Sequence, residues 1–126
     1  MPAPIVWIFL IIASTFASVH NFAEAASLYW YYSWFDILMH FWGGFLVALG
    51  VRAFCTFKFV PLRPTLTLTL LVLVVAMVSW EIFERAAGLY EQSIYVFDTA
   101  KDLLDGLCGG LIGFIVLKNF KKQKKV

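Results

Sequence analysis

The chain has 126 residues, of which 62% are hydrophobic and only 14% charged, against roughly 25% charged in a typical soluble domain. A water-soluble fold of this length has too little interior to hide so much apolar surface, whereas a bilayer lets helices turn apolar side chains outward. The totals therefore exclude an ordinary soluble enzyme and predict one all-α membrane domain spanning residues 1–126.

A spanning helix needs about 20 predominantly apolar residues, and the sequence offers four such stretches. The first runs over about 5–22 and lacks the preceding Lys or Arg of a signal peptide, so it reads as a retained span. An aromatic run follows, Tyr29, Trp30, Tyr31, Tyr32 and Trp34. Rings of this kind sit among lipid headgroups, or grip an amphiphile beside a polar site. The second span covers about 35–57 and contains Asp36, His40 and Arg52. Pro61 and Pro64 then break the chain before the third span, about 65–87. The fourth covers about 99–117, and a basic tail, 118–126, follows it.

Basic residues set orientation. Lys118, Lys121, Lys122, Lys124 and Lys125 make the tail cytoplasmic, and four spans then place the N-terminus there too. Arg52, Lys58 and Arg63 fall on the same side, leaving only Arg85 and Lys101 of the ten basic residues outside. All eight acids, Glu24, Asp36, Glu81, Glu84, Glu91, Asp98, Asp102 and Asp105, take the outer side, with His20 and His40. The expected location is the inner or plasma membrane. The tail reads as a contact for anionic lipid rather than nucleic acid.

The acids are patterned. Asp36 and His40 are one turn apart on one helical face, as are Glu81 and Glu84, and Asp98, Asp102 and Asp105 form a stripe. Each acid inside a span costs about 2.5–3.5 kcal/mol on insertion scales, so the stripes should converge away from lipid. Three readings are open: a divalent metal ion, a proton or ion path, and a purely structural network held by local pairs such as Glu81–Arg85, or Lys101 with Asp98 or Asp105. For a metal the predicted ligands are His40, Glu84, Asp98 and Asp102. Asp36, Glu81 and Asp105 would take acid–base or supporting roles, and His20 could join from the first span. Apolar stretches at 45–51 and 111–117 argue against a full ion route. Gly106 and Gly110, Gly109 and Gly113, and Gly44 and Ala48 allow close helix contact. That contact would join the second and fourth spans and bring His40 near Asp102 and Asp105; homodimerisation is the alternative use. Cys55 and Cys108 read as small apolar residues.

Asp36-x-x-x-His40-Phe41 with Gly44, the pair Glu81 and Glu84, and Asp98-Thr99-x-x-Asp102-Leu103 together resemble the YjdF-like family of small membrane proteins. The resemblance covers roughly 35–113 and implies a multi-pass membrane protein with a shared polar constellation, without assigning a reaction. The chain is also similar to the VanZ-like proteins, although Asp102 and Asp105 stand where that family favours an Asp…Asn pattern. The first function considered is a metal-dependent enzyme acting on a lipid or lipid-linked substrate. The alternatives are an ion- or proton-conducting protein, and a structural protein without catalysis.

Overall fold

The computed structural model describes residues 2–88 and 95–123, without the side chains of Tyr95 and 120–123. Glu91, Lys124 and Lys125, and the side chains of Lys121 and Lys122, lie outside the described residues. The described residues form five helices: α1 (Pro4–Ala25), α2 (Leu28–Tyr31), α3 (Ser33–Phe54), α4 (Leu66–Ala86) and α5 (Tyr95–Gln123). Among the described residues there is no strand.

Local chemistry explains the boundaries. Pro4 begins α1, where its missing N–H costs nothing. The aromatic run folds into the single turn of α2 and the start of α3, with the left-handed Ser27 (φ 57°) turning the chain between α1 and α2. After Phe54 a turn-rich segment leads through Pro61 and Pro64 to Thr65, whose Oγ1 accepts the Leu68 N–H at 3.2 Å and caps α4. Gly88, at φ 72°, ends α4 in the left-handed conformation that only glycine adopts without penalty. Helix α5 is longer than the apolar stretch that predicts it. Asp98 lies in its first turn, where negative charge complements the helix dipole, and neither Gly nor Pro interrupts its C-terminal end.

Helices α1, α3 and α4 are each long and apolar enough to cross a membrane. Helix α5 carries Asp98, Lys101, Asp102 and Asp105 in its first three turns and an apolar stretch, 106–117, after them. The surface is that of a membrane protein. Ile11 is 66% exposed, Leu71 61%, Val75 65% and Ile115 54%, while the buried positions include the small residues Ala48, Gly44, Gly106, Gly109 and Gly110.

Helix α3 is the hub. It packs most broadly on α5 and touches α1 and α4, while α4 also lies against α5. Helices α3 and α5 run parallel: Asp36 meets Lys101, His40 meets Asp102, Gly44 meets Gly106, and Ala48 meets Gly113. The backbones nearly touch. A Cβ on Gly44 would collide with the Gly106 carbonyl, and one on Gly109 with the Phe41 carbonyl. Helix α4 runs the other way along the pair, placing Met77 over Gly106 and Leu73, fully buried, over Gly110. Near α2, Ala23, Phe35 and Met39 form a buried cluster with Phe16, Val19, Tyr29 and Trp42.

The glycines should therefore differ sharply in tolerance. Gly44→Ala or Gly109→Ala is expected to destabilise the protein by about 3 kcal/mol, the upper part of the overpacking range, because backbone rather than a side chain must yield. Gly43→Ala, whose Cβ would meet only the Phe16 ring at 3.7 Å, should change stability by under about 0.5 kcal/mol. Unfolding in detergent micelles measures the difference; equal effects at Gly43 and Gly44 would contradict the packing.

Candidate functional site

The glycine contact builds the site. His40 precedes Gly44 by one turn and Asp102 precedes Gly106 by one turn, so parallel helices joined at Gly44 and Gly106 stack His40 on Asp102. The His40 Nε2 lies 3.3 Å from Asp102 Oδ2 and also 3.3 Å from Asp36 Oδ1. Lys101 closes the other side: its Nζ is 2.9 Å from Asp36 Oδ2, 3.2 Å from Asp102 Oδ1 and 3.9 Å from Asp98 Oδ1. Asp36, Asp102, Lys101 and His40 thus form a core with Asp98 at its edge. With its carboxylates ionised the core carries one net negative charge with neutral His40 and none with protonated His40, and Asp98 adds one more.

Helix α4 supplies a second group. Glu81, Glu84 and Asp102 each offer a carboxylate oxygen within 4.8 Å of the others, as do the ligand atoms of Asp36, His40 and Asp102. The neutral donors around the second group are specific. The Thr99 hydroxyl donates to Glu81 Oε2 at 3.0 Å, and the Trp80 indole N–H donates to Glu84 Oε1 at 2.8 Å. Asp102 belongs to both groups and is only 2% exposed. Its Oδ1 and the Oδ2 of Asp105 are buried without a hydrogen-bond partner. The Lys101 contact to Asp102 Oδ1 is therefore ionic rather than a well-directed hydrogen bond. Burying carboxylate oxygens this way is costly unless a cation or water meets them.

The predicted residues redistribute on this geometry. Of the predicted ligands, His40 stands with Asp102 in one group and Glu84 with Asp102 in the other. Asp36 and Glu81, placed in supporting roles from sequence, stand among the atoms close enough to share an ion. Asp98 lies outside both groups: it sits one turn before Asp102, with its side chain 42% exposed, and faces Lys101. Asp105 sits one turn after Asp102. His20 is engaged elsewhere, sharing a 2.7 Å hydrogen bond between Nδ1 and the Tyr29 hydroxyl and packing edge-on against Trp80. Burial first, and Glu24 next, push the Tyr29 hydroxyl well above the ordinary tyrosine range, so it stays a neutral phenol.

Sequence reasoning missed three partners. Lys101 reaches across to Asp36, sixty-five residues away, rather than only along its own helix. The Thr99–Glu81 bond also crosses between helices and leaves no local signal. Trp80 and Glu84 are an i, i+4 pair on one face, a spacing that does point to their contact.

Beside Glu81, between α4 and α5, a groove of about 490 Å³ is walled by Val78, Ile82, Ala86 and Leu103, with Arg85 and Thr99 at its polar edge. Apolar helices, a lipid-facing surface and a polar cluster gathered from three helices define the class: a helical membrane protein with one charged centre. The family described as "Predicted membrane protein (DUF2238)" matches residues 2–123. The chain belongs to that family, which agrees with the YjdF-like resemblance; the VanZ-like alternative finds no support. No curated protein and no solved structure matches the chain.

Lys101 is the measurable keystone of the first group. Lys101→Met should destabilise the protein by about 3 kcal/mol, the low end for breaking a buried pair, since Lys101 is 26% exposed. Adding Asp36→Asn should restore part of that loss by removing a charge left without its partner. Glu24→Gln, at an exposed position, should be neutral. Strictly additive losses from Lys101→Met and Asp36→Asn would refute the coupling.

Proposed function

We propose that Glu81, Glu84 and Asp102 hold a hard divalent cation at one end of the bundle, and that the protein acts there on a lipid or lipid-linked substrate. The observation that carries this reading is Asp102: nearly fully buried, flanked by two further carboxylates of α4, and with an Oδ1 that has the Lys101 ammonium nearby but no hydrogen bond. Lys101 offsets part of the charge of Asp36 and Asp102, while Glu81 accepts from the Thr99 hydroxyl and Glu84 from the Trp80 indole. An all-oxygen, all-acidic set suits magnesium, manganese or calcium better than zinc or copper. His40, with Nε2 between Asp36 and Asp102, would orient Asp102, and Asp98 would contribute through Lys101 rather than directly.

When bound, such an ion polarises a phosphoryl or carbonyl oxygen or lowers the pKa of a water. Asp105, with an unpartnered oxygen one turn along α5, is placed to move a proton, while Asp36 keeps Lys101 and His40 in position. The groove beside Glu81 supports a lipid-directed role, because its apolar walls suit an acyl chain and Arg85 stands at its edge. The exposed rings of Trp30, Tyr31 and Trp34 give the same end an amphipathic rim. The distribution of Lys and Arg supports a reading with this end on the outer face of the cell membrane, four spans and both termini cytoplasmic.

A second reading, a structural network without metal, is favoured by Lys101, which already sits as a cation between two helices. Conduction is disfavoured: beyond the cluster the helices close over Ala48, Leu49 and Leu73, all buried.

Metal analysis of protein purified in detergent with magnesium, manganese and calcium supplied separates the two. The metal reading expects about one divalent ion per chain in wild type. It expects a tenfold or greater loss of affinity in Glu84→Gln and Asp102→Asn, and a smaller loss in His40→Ala. Wild-type protein that stays folded, binds none of the three ions and matches its Glu84→Gln variant would establish the structural reading instead.

A further inference from the structure

At the opposite end of the bundle a second groove, of about 440 Å³, is lined by Arg52, Arg63, Pro64, Thr65, Leu66, Phe114 and Lys118. Its three cations arrive from three separate parts of the chain: the last turn of α3, the segment before α4, and the C-terminal third of α5. Among the described residues no carboxylate lies within ion-pair distance of any of them. The reason is global, since every acid of the described chain precedes Ile37 or lies between Glu81 and Asp105, toward the other end. Three like charges gathered around one cleft repel one another unless an anion from outside joins them. Helix α4 also begins here, at Leu66, and its N-terminal end adds positive potential. Leu66 and Phe114 supply an apolar wall, and the Lys118 Nζ lies 6.0 Å over the Phe114 ring.

We propose that this groove is a specific site for the headgroup phosphate of an anionic membrane lipid. Arg52, Arg63 and Lys118 take the phosphate, and an acyl chain runs along Leu66 and Phe114. The site is independent of the cation proposed at the other end. Lipid is the expected occupant because the cleft opens on helices whose flanks already face the bilayer, Phe54 and Leu66 among them. A free anion would leave the Leu66 and Phe114 wall exposed to no purpose. Arginine suits the role through its planar fork, which pairs two donors with phosphate oxygens.

Native mass spectrometry of the protein released from nanodiscs of phosphatidylcholine and phosphatidylglycerol tests this. Wild type should retain phosphatidylglycerol in clear excess over phosphatidylcholine. Arg52→Gln and Lys118→Gln should each lower that retention about fivefold, the share of one cation near a charged surface. Lys118→Arg should keep it, and Leu66→Trp, which fills the groove without changing charge, should abolish it. Neutralising Lys124 and Lys125 in the tail should have a smaller effect than either groove variant. If the tail variant loses as much lipid as the groove variants, the attraction is a diffuse basic field and the site is refuted. Displacement of the lipid by inorganic phosphate would likewise overturn it, by making the ligand a free anion.

Discussion

Everything at the charged centre depends on how closely α3 and α5 approach. Their backbones touch at Gly44 with Gly106 and at Gly109 with Phe41, leaving no room for a side chain. In a bilayer, association of helices draws on packing and polar contacts rather than on a hydrophobic drive, so a seam of small residues is a strong determinant of which helices pair. Here the seam also fixes register. Because the helices are parallel and both charged residues stand one turn before a touching glycine, His40 cannot avoid Asp102. A substitution that widened the seam would separate the imidazole from the carboxylate even with both side chains intact.

The same register creates an electrostatic problem and solves half of it. Carboxylates taken from water and set beside one another are costly, and pairing must compensate. On the α3 side, Lys101 and His40 lie against Asp36 and Asp102, and Lys101 offsets part of the carboxylate charge. On the α4 side, Glu81 and Glu84 receive single hydrogen bonds from neutral donors. The asymmetry lies within one residue: Asp102 gives one oxygen to His40, while its other has an ionic neighbour and no hydrogen bond. The α3 side is thus held by ionic contacts, and the α4 side carries hydrogen bonds from a hydroxyl and an indole.

How much of this was legible in the sequence varies with the range of the interaction. The all-helical membrane class followed from composition, and the meeting of His40 with Asp102 followed from the placing of Gly44 and Gly106. Both rest on periodicity within a helix. The division of labour among the acids did not follow, because it depends on the rotation of each helix about its own axis. A stripe such as Asp98, Asp102 and Asp105 spans most of a face, and rotation decides that Asp102 points inward while Asp98 stays 42% exposed. Lys101 illustrates the same limit. Its local neighbours on α5 suggested pairs within the helix, yet its long stem reaches Asp36 across the seam. The extension of α5 beyond its apolar stretch was hidden for another reason: helix ends are set by capping and dipole effects, which hydropathy ignores.

Helix α5 finally ties the two ends of the molecule together. Its N-terminal turns carry Lys101, Asp102 and Asp105, its middle is the glycine seam, and Lys118 near its other end lines the basic cleft. Acids gather around Lys101 at one end, and at the other Arg52, Arg63 and Lys118 have no carboxylate within ion-pair distance among the described residues. Pairing the two sets directly is impossible, since the seam and the buried Leu73 layer lie between them. The cation proposed where carboxylates converge and the lipid phosphate proposed where arginines and a lysine surround an apolar cleft would each supply charge from outside the chain. The two proposed sites are thus separate consequences of one arrangement, a short rigid bundle whose charges are sorted by end.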